Sequence, residues 1–221
     1  MTTGVFGEEI AAHYEAWYKT PQGRQADQEE KQLLRWLMGA FPGARTVLEV
    51  GCGTGHFTRW LRDEGFRAVG LDLSAPMLAQ ARALDGLPLV QGDAHRLPFA
   101  DDAVDLVMLI TTLEFLARPR EALAEALRVA RRGLVLGVLN RWSPLGLERR
   151  VKSLFRPSVY SAARFYSVWE LQRLVRSVAG PQASIIWRTT IFPWGIPRRP
   201  SPLPWGGFIG MAALKEGGSW P

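Results

Sequence analysis

Between residues 45 and 139 short, solidly apolar runs alternate with segments whose apolar positions recur every three or four residues. The runs at 45–50, 67–72, 87–91, 104–110 and 133–139 predict strands, and the periodic segments at 56–64, 75–84 and 120–130 predict helices. Val104 to Ile110 is apolar at nearly every position, as a strand buried on both faces requires. Upstream, Leu33, Leu34, Leu37 and Met38 fall at helical spacing among charged residues, predicting a helix over 26–40 that Pro42-Gly43 ends. Downstream, the pattern predicts a helix over 168–178 and strands over 183–190 and 207–214. The stretch from 191 to 205 is too rich in proline for a central strand, and 141–166 has no clear period.

Strand and helix alternating at this pace build βαβ units, and right-handed crossovers close them into a parallel sheet covered on both faces. The expected class is α/β, a doubly wound three-layer sandwich. A chain of 221 residues, 47% of them hydrophobic, has enough apolar surface for one such core. A single domain over 1–221 is expected, with a cap segment at 1–25 and elaborations at 141–166 and 191–206.

Composition narrows the setting. The lone cysteine, Cys52, excludes an internal disulfide framework and fits a reducing compartment. No basic segment followed by an apolar core opens the chain, and no apolar run is long enough to cross a bilayer, so a cytoplasmic protein is expected. The net charge of +6 conceals a split, because residues 118–221 carry 17 basic against 5 acidic side chains. Nucleic acid or an anionic surface would suit that half, but no consecutive basic run with interleaved aromatics accompanies it. Nucleic acid is therefore not the favoured partner.

The chemistry is concentrated where the first strand meets the first crossover helix, in Val47-Leu48-Glu49-Val50-Gly51-Cys52-Gly53-Thr54-Gly55. Glycines at alternate positions let a ligand approach the backbone, beside the free N–H groups of a helix start. Asp72 ends the second strand about 20 residues on, where a carboxylate can hold a ribose diol. Asp93-Ala94 follows the third strand and offers a carboxylate and an N–H to an adenine edge. A dinucleotide and S-adenosylmethionine both fit a nucleoside site of this kind. Two features separate them: the spacing is Gly-x-Gly-x-Gly rather than Gly-x-Gly-x-x-Gly, and Glu49 precedes the first glycine by two residues. A carboxylate there repels a pyrophosphate and suits a ligand with a sulfonium and an ammonium group.

These segments resemble the motifs of class I S-adenosylmethionine-dependent methyltransferases. Val47 to Gly55 looks like their first motif, Leu71-Asp72-Leu73-Ser74-Ala75-Pro76-Met77-Leu78 like the second, and Gly92-Asp93-Ala94 with Asp105-Leu106-Val107 like the next two. The likeness covers roughly residues 5–140 and is nearest the small-molecule branch of quinone C-methyltransferases and malonyl-carrier-protein O-methyltransferases. It implies a Rossmann-like, seven-stranded, mostly parallel sheet whose last strand is antiparallel. It also implies cofactor contacts at Glu49, Gly51, Cys52, Gly53, Gly55, Asp72, Leu73, Met77, Asp93, Ala94 and Ile110. Arg131-Arg132-Gly133 replaces the usual Pro-Gly-Gly turn, and Thr111-Thr112-Leu113-Glu114 stands where many relatives have histidine. No Asn-Pro-Pro-Tyr or Asp-Pro-Pro-Tyr motif occurs, which argues against methylation of a base nitrogen.

Methyl transfer from a sulfonium needs alignment and dehydration more than an acid or base, and the sequence advertises neither, nor a metal. The catalytic candidates are Tyr14, Tyr18 and Glu114, and the substrate-side candidates are Trp17, Arg141, Arg164 and Trp194. Of the histidines, His56 suits a helix cap or cofactor contact and His95 an adenine rim. The acceptor is expected to be a small molecule, anionic or lipid-like. The alternatives are an RNA or protein methyltransferase using the basic half, and a non-catalytic S-adenosylmethionine-binding regulator.

Overall fold

The computed structural model describes residues 6–84, 86–144, 147, 162–193 and 199–215. Seven strands form one sheet in the order β3-β2-β1-β4-β5-β7-β6. They are β1 (Thr46–Val50), β2 (Arg67–Asp72), β3 (Leu89–Gln91), β4 (Val104–Ile110), β5 (Ala130–Leu139), β6 (Ile185–Thr190) and β7 (Phe208–Leu214). The first five are mutually parallel, and β7 runs antiparallel to both β5 and β6. This is the expected sheet, including its antiparallel last strand.

Alternation along each strand supplies the two buried faces. Leu48, Leu109 and Leu136 point to one side, under helices α5 (Pro119–Val129) and α6 (Val168–Ala179). Val47, Met108 and Val135 point to the other, under α2 (Pro21–Met38) and α3 (His56–Asp63). The close seat of α2 depends on Gly210 in β7, where an added Cβ would fall 2.7 Å from the side chains of Leu33 and Leu37. Helix α4 (Ala75–Leu84) follows β2, and α1 (Glu8–Tyr18) precedes α2.

Several boundaries differ from the sequence pattern for identifiable reasons. Helix α2 starts at Pro21 rather than Ala26, because Thr20 caps it by accepting from the Gly23 N–H and Pro21 takes the first helical position. Helix α5 runs straight into β5, so that strand opens at Ala130, three residues before the glycine expected to start it. A capping box of Ser167 and Glu170 begins α6. A single turn of 3-10 helix at Leu113–Phe115, after β4, had no periodic signal. Of the two elaborations, residues 145–146, 148–161 and 194–198, which include Trp194, lie outside the described residues.

Candidate active site

A cavity of about 290 Å³ opens at the carboxyl ends of β1, β2 and β4, under α1. Ligands of open α/β sheets bind at this edge. Its floor is the loop from β1 to α3, in which Gly51, Gly53 and Gly55 all have positive φ. Their reasons differ. A Cβ on Gly51 would fall 2.4 Å from the Thr112 side chain and one on Gly55 2.5 Å from Leu87, so both positions are closed by packing. A Cβ on Gly53 would meet nothing within 4 Å. That bare backbone lines the cavity, the open approach that a bound nucleoside would use.

Two carboxylates give the floor its chemistry. Asp72, at the end of β2, accepts from the Gly53 N–H and the Ser74 N–H, each at 2.8 Å. One bond per oxygen leaves each able to accept another. Burial pushes its pKa up, against the pull of those backbone donors. Glu49, on β1, is buried and accepts from the Thr58 hydroxyl. Burial, helped by the neighbouring Asp72 charge, lifts its pKa to about 7. A positively charged ligand would draw both back to the ionised state.

The roof is α1. At one end the Ser74 hydroxyl donates to the Phe6 carbonyl, at 2.7 Å. At the other, Glu15 accepts from the Thr54 hydroxyl at 2.5 Å and pairs with Arg59 at 3.0 Å. Burial opposes ionisation of Glu15, but the neighbouring His56, the Thr54 hydroxyl and the Arg59 charge prevail and hold its pKa at about 2. Below the roof the lining is aromatic, with Phe6, Tyr14, Tyr18, Phe57 and Phe115, and among the described residues no lysine or arginine belongs to it.

Eight of the expected cofactor contacts line the cavity: Glu49, Gly51, Cys52, Gly53, Asp72, Leu73, Met77 and Ile110. Gly55, Asp93 and Ala94 do not. One oxygen of the Asp93 carboxylate accepts from the His95 N–H at 2.9 Å. Tyr14 and Tyr18 line the cavity, whereas Glu114 is buried away from it with one oxygen accepting from the Leu139 N–H at 2.6 Å. Trp17 is exposed on the outer side of α1. Arg141 pairs with Glu170 at 2.9 Å, and Arg164 lies over the Tyr166 ring, so neither arginine reaches the cavity. Lining residues not assigned a site role from sequence include Phe6, Phe57, Phe115 and the Thr111-Thr112 pair.

This geometry has counterparts. Residues 48–136 match the family of methyltransferase domains. Over these residues, which hold the glycine loop and Asp72, the chain is similar to methyltransferase domains. The malonyl-[acyl-carrier protein] O-methyltransferase of Pectobacterium atrosepticum is 41% identical over 101 residues, 45% of this chain and 40% of that protein. The ubiquinone/menaquinone biosynthesis C-methyltransferase of Roseobacter denitrificans is 32% identical over 164 residues, 70% of this chain and 61% of its own. The chain thus spans about half the length of these curated relatives. The solved structure of an S-adenosylmethionine-dependent methyltransferase from Thermotoga maritima superposes with a TM-score of 0.80 at 28% identity, covering 98% of this chain and 100% of that one.

Proposed function

We propose that the chain is a cytoplasmic enzyme that transfers a methyl group from S-adenosylmethionine to a small organic acceptor. The observation that supports this best is the pairing of Asp72 with the bare Gly53 backbone beside Glu49, in one cavity. Asp72 would hold the ribose hydroxyls, Glu49 would face the cationic part of the ligand, and Leu73 and Met77 would enclose the adenine. S-adenosylmethionine supplies an electrophilic methyl on sulfur. The chain's own work is to bind, to orient and, through α1, to exclude water.

The acceptor side of the cavity favours an aromatic or apolar molecule without a negative charge. Five aromatic rings surround it, and among the described residues no arginine or lysine answers an anion there. An anionic acceptor held by Arg141 or Arg164 gains no support from their placement. Tyr14 and Tyr18 are the side chains best placed to touch the acceptor.

Two measurements test the proposal. Calorimetry should show binding of S-adenosylmethionine and none of NAD, weakened by about 1.5–3 kcal/mol in Asp72→Ala, the worth of a hydrogen bond to a charged group. Incubation with labelled methyl donor and a panel of neutral, cationic and anionic acceptors should label the neutral or cationic ones. Tight NAD binding would overturn the cofactor assignment, and labelling of anionic acceptors alone would overturn the acceptor assignment.

A further inference from the structure

Eight large hydrophobic side chains are exposed among the described residues, and five of them belong to the segments after β5. These are Trp142, Leu147, Trp169, Leu203 and Trp205, with the tryptophans 64%, 56% and 53% exposed in that order. The other three are scattered, and one of them, Trp36, is covered by the Arg188 guanidinium at 4.7 Å. Such clustering is uncommon on a free surface and marks a site of contact.

One buried polar residue fixes the backbone beside two of them, Trp142 and Trp205. Asn140, fully buried at the end of β5, donates from its amide to the carbonyls of Pro204 and Gly206, at 2.6 and 2.8 Å. Trp205 is the residue between those two carbonyls. The Asn140 carbonyl oxygen of the side chain accepts from the Trp142 N–H at 3.0 Å. Its backbone carbonyl accepts from the Ser143 hydroxyl, and the Ser143 carbonyl accepts from the Leu147 N–H. Arg141 then reaches Glu170, next to Trp169. The backbone is therefore fixed while the rings are left in water, which is costly unless something covers them.

Charge says what covers them. Trp169, Arg173 and Arg176 stand at i, i+4 and i+7 on α6, all exposed, opposite the buried Val168, Leu171 and Val175. Arg164 and Arg199 are exposed nearby in sequence, and the only acid among these segments' described residues is Glu170, already paired with Arg141. Tryptophan is at home between water and lipid tails, and arginine between water and anionic headgroups. Leu147 and Leu203 have nothing to offer a nucleic acid base or phosphate but can enter a bilayer. The patch lies on the same sheet edge as the cavity, because β5 ends beside β4.

We propose that this surface docks the protein onto an anionic lipid bilayer, with Trp142, Trp169 and Trp205 entering the interface and Arg173 and Arg176 meeting headgroups. Docking of this kind sets the cavity edge against the membrane, where an apolar acceptor concentrates. It stands independently of the methyl-transfer reading, since it can be measured with neither cofactor nor acceptor.

The test is sedimentation of the full chain with vesicles of phosphatidylcholine alone or with a third phosphatidylglycerol, at 50 mM and 500 mM salt. Binding is expected to the anionic vesicles at low salt and to fall at high salt. Trp142→Ala with Trp205→Ala should weaken it by about tenfold or more, and Arg173→Glu with Arg176→Glu by at least as much. All four side chains are exposed, so the variants should keep the parent's melting temperature. Tryptophan emission should also be quenched by brominated lipid, and less so in the paired tryptophan variant. Absence of binding to anionic vesicles would overturn the proposal. So would vesicle binding that the tryptophan variants leave unchanged, or an RNA shift lost in the same variants without any vesicle binding.

Discussion

Tyr18 lies flat on the imidazole of His56, with ring centroids 3.6 Å apart and planes 10° from parallel. The contact fastens the end of α1 to the start of α3. His56 itself sits between two acids, with Nε2 at 2.6 Å from Asp27 and Nδ1 at 3.9 Å from Glu15. Burial pulls its pKa down and Lys31 adds to that, but the hydrogen bond with Asp27 and the nearby Glu15 carboxylate prevail and the net direction is up. A group raised in the folded state contributes fully below its unfolded value near 6.5 and loses that contribution as pH rises through the folded value. The roof should therefore loosen on the alkaline side. Hydrogen exchange over residues 8–18, corrected for intrinsic rate, should show protection falling as pH rises from 6 to 9. His56→Gln should abolish that slope. Protection independent of pH in the parent would remove His56 as the fastening.

Cofactor affinity should rise with pH, through Glu49. Its pKa of about 7 means that near neutrality roughly half the unliganded molecules carry it protonated. A ligand with a sulfonium and an ammonium group binds the ionised form better, so each pH unit below 7 should cost up to about tenfold in affinity. Calorimetry in buffers of different ionisation enthalpy should show proton release at pH 6.5 and little at pH 8.5. Glu49→Gln should bind more weakly at pH 8.5 and show a flat profile. A flat profile in the parent would mean that the cationic end lies elsewhere.

What the sequence made legible follows the strength of periodic and spaced signals. The strands β1, β2 and β4 were bounded within a residue because their apolar runs are broken at Gly51, Asp72 and Thr111. The glycine loop and Asp72 were legible because a fixed spacing imposes a fixed geometry. Asp93 and Gly55 were assigned by the same resemblance and lie outside the cavity lining, Asp93 accepting from the His95 N–H and Gly55 lying close to Leu87. A motif records which residues recur, and both local packing and ligand contact make a residue recur. The aromatic wall was hidden for another reason. Phe6 and Phe115 meet edge to face at 4.9 Å across more than a hundred residues of sequence, and no local pattern announces such a pair.

Glu114 should lower stability as pH rises. It is almost wholly buried, and burial lifts its pKa to about 8 against the Leu139 N–H. Its second oxygen has no hydrogen-bond partner among the described residues. The folded state thus prefers the protonated acid, and its stabilising share is complete below the unfolded pKa near 4.5 and declines from there towards pH 8. Glu114→Gln keeps an acceptor for Leu139 and carries no charge. It should melt about 2–4 °C above the parent at pH 8, the shift that roughly 1 kcal/mol produces in a chain of this size, and match it near pH 5. Equal melting temperatures at pH 8 would show that the acid is ionised at no cost.

Thr111 stores strain at the cavity. Its φ of 51° puts a β-branched residue in the left-handed region, which such side chains rarely occupy. The conformation is held by its N–H, which donates to the Gly137 carbonyl at 2.7 Å, and by Thr112, whose hydroxyl donates to the Val50 carbonyl at 3.1 Å. Strain of this type costs about 1–3 kcal/mol and persists where neighbours over-determine the backbone. Thr111 lines the cavity at the end of β4 and, on the proposed function, would form part of the acceptor's wall. Thr111→Gly relieves the strain and gives back about 0.5–1 kcal/mol in unfolded-state entropy. Its melting temperature should therefore equal or exceed the parent's by a few degrees. Turnover should nevertheless fall severalfold, with cofactor affinity unchanged, because the acceptor loses a wall. Thr111→Asn, which tolerates the same φ and keeps a side chain, should recover part of that loss. A Thr111→Gly variant that melts well below the parent would show that the threonine is unstrained, and one with full turnover would show that its side chain positions nothing.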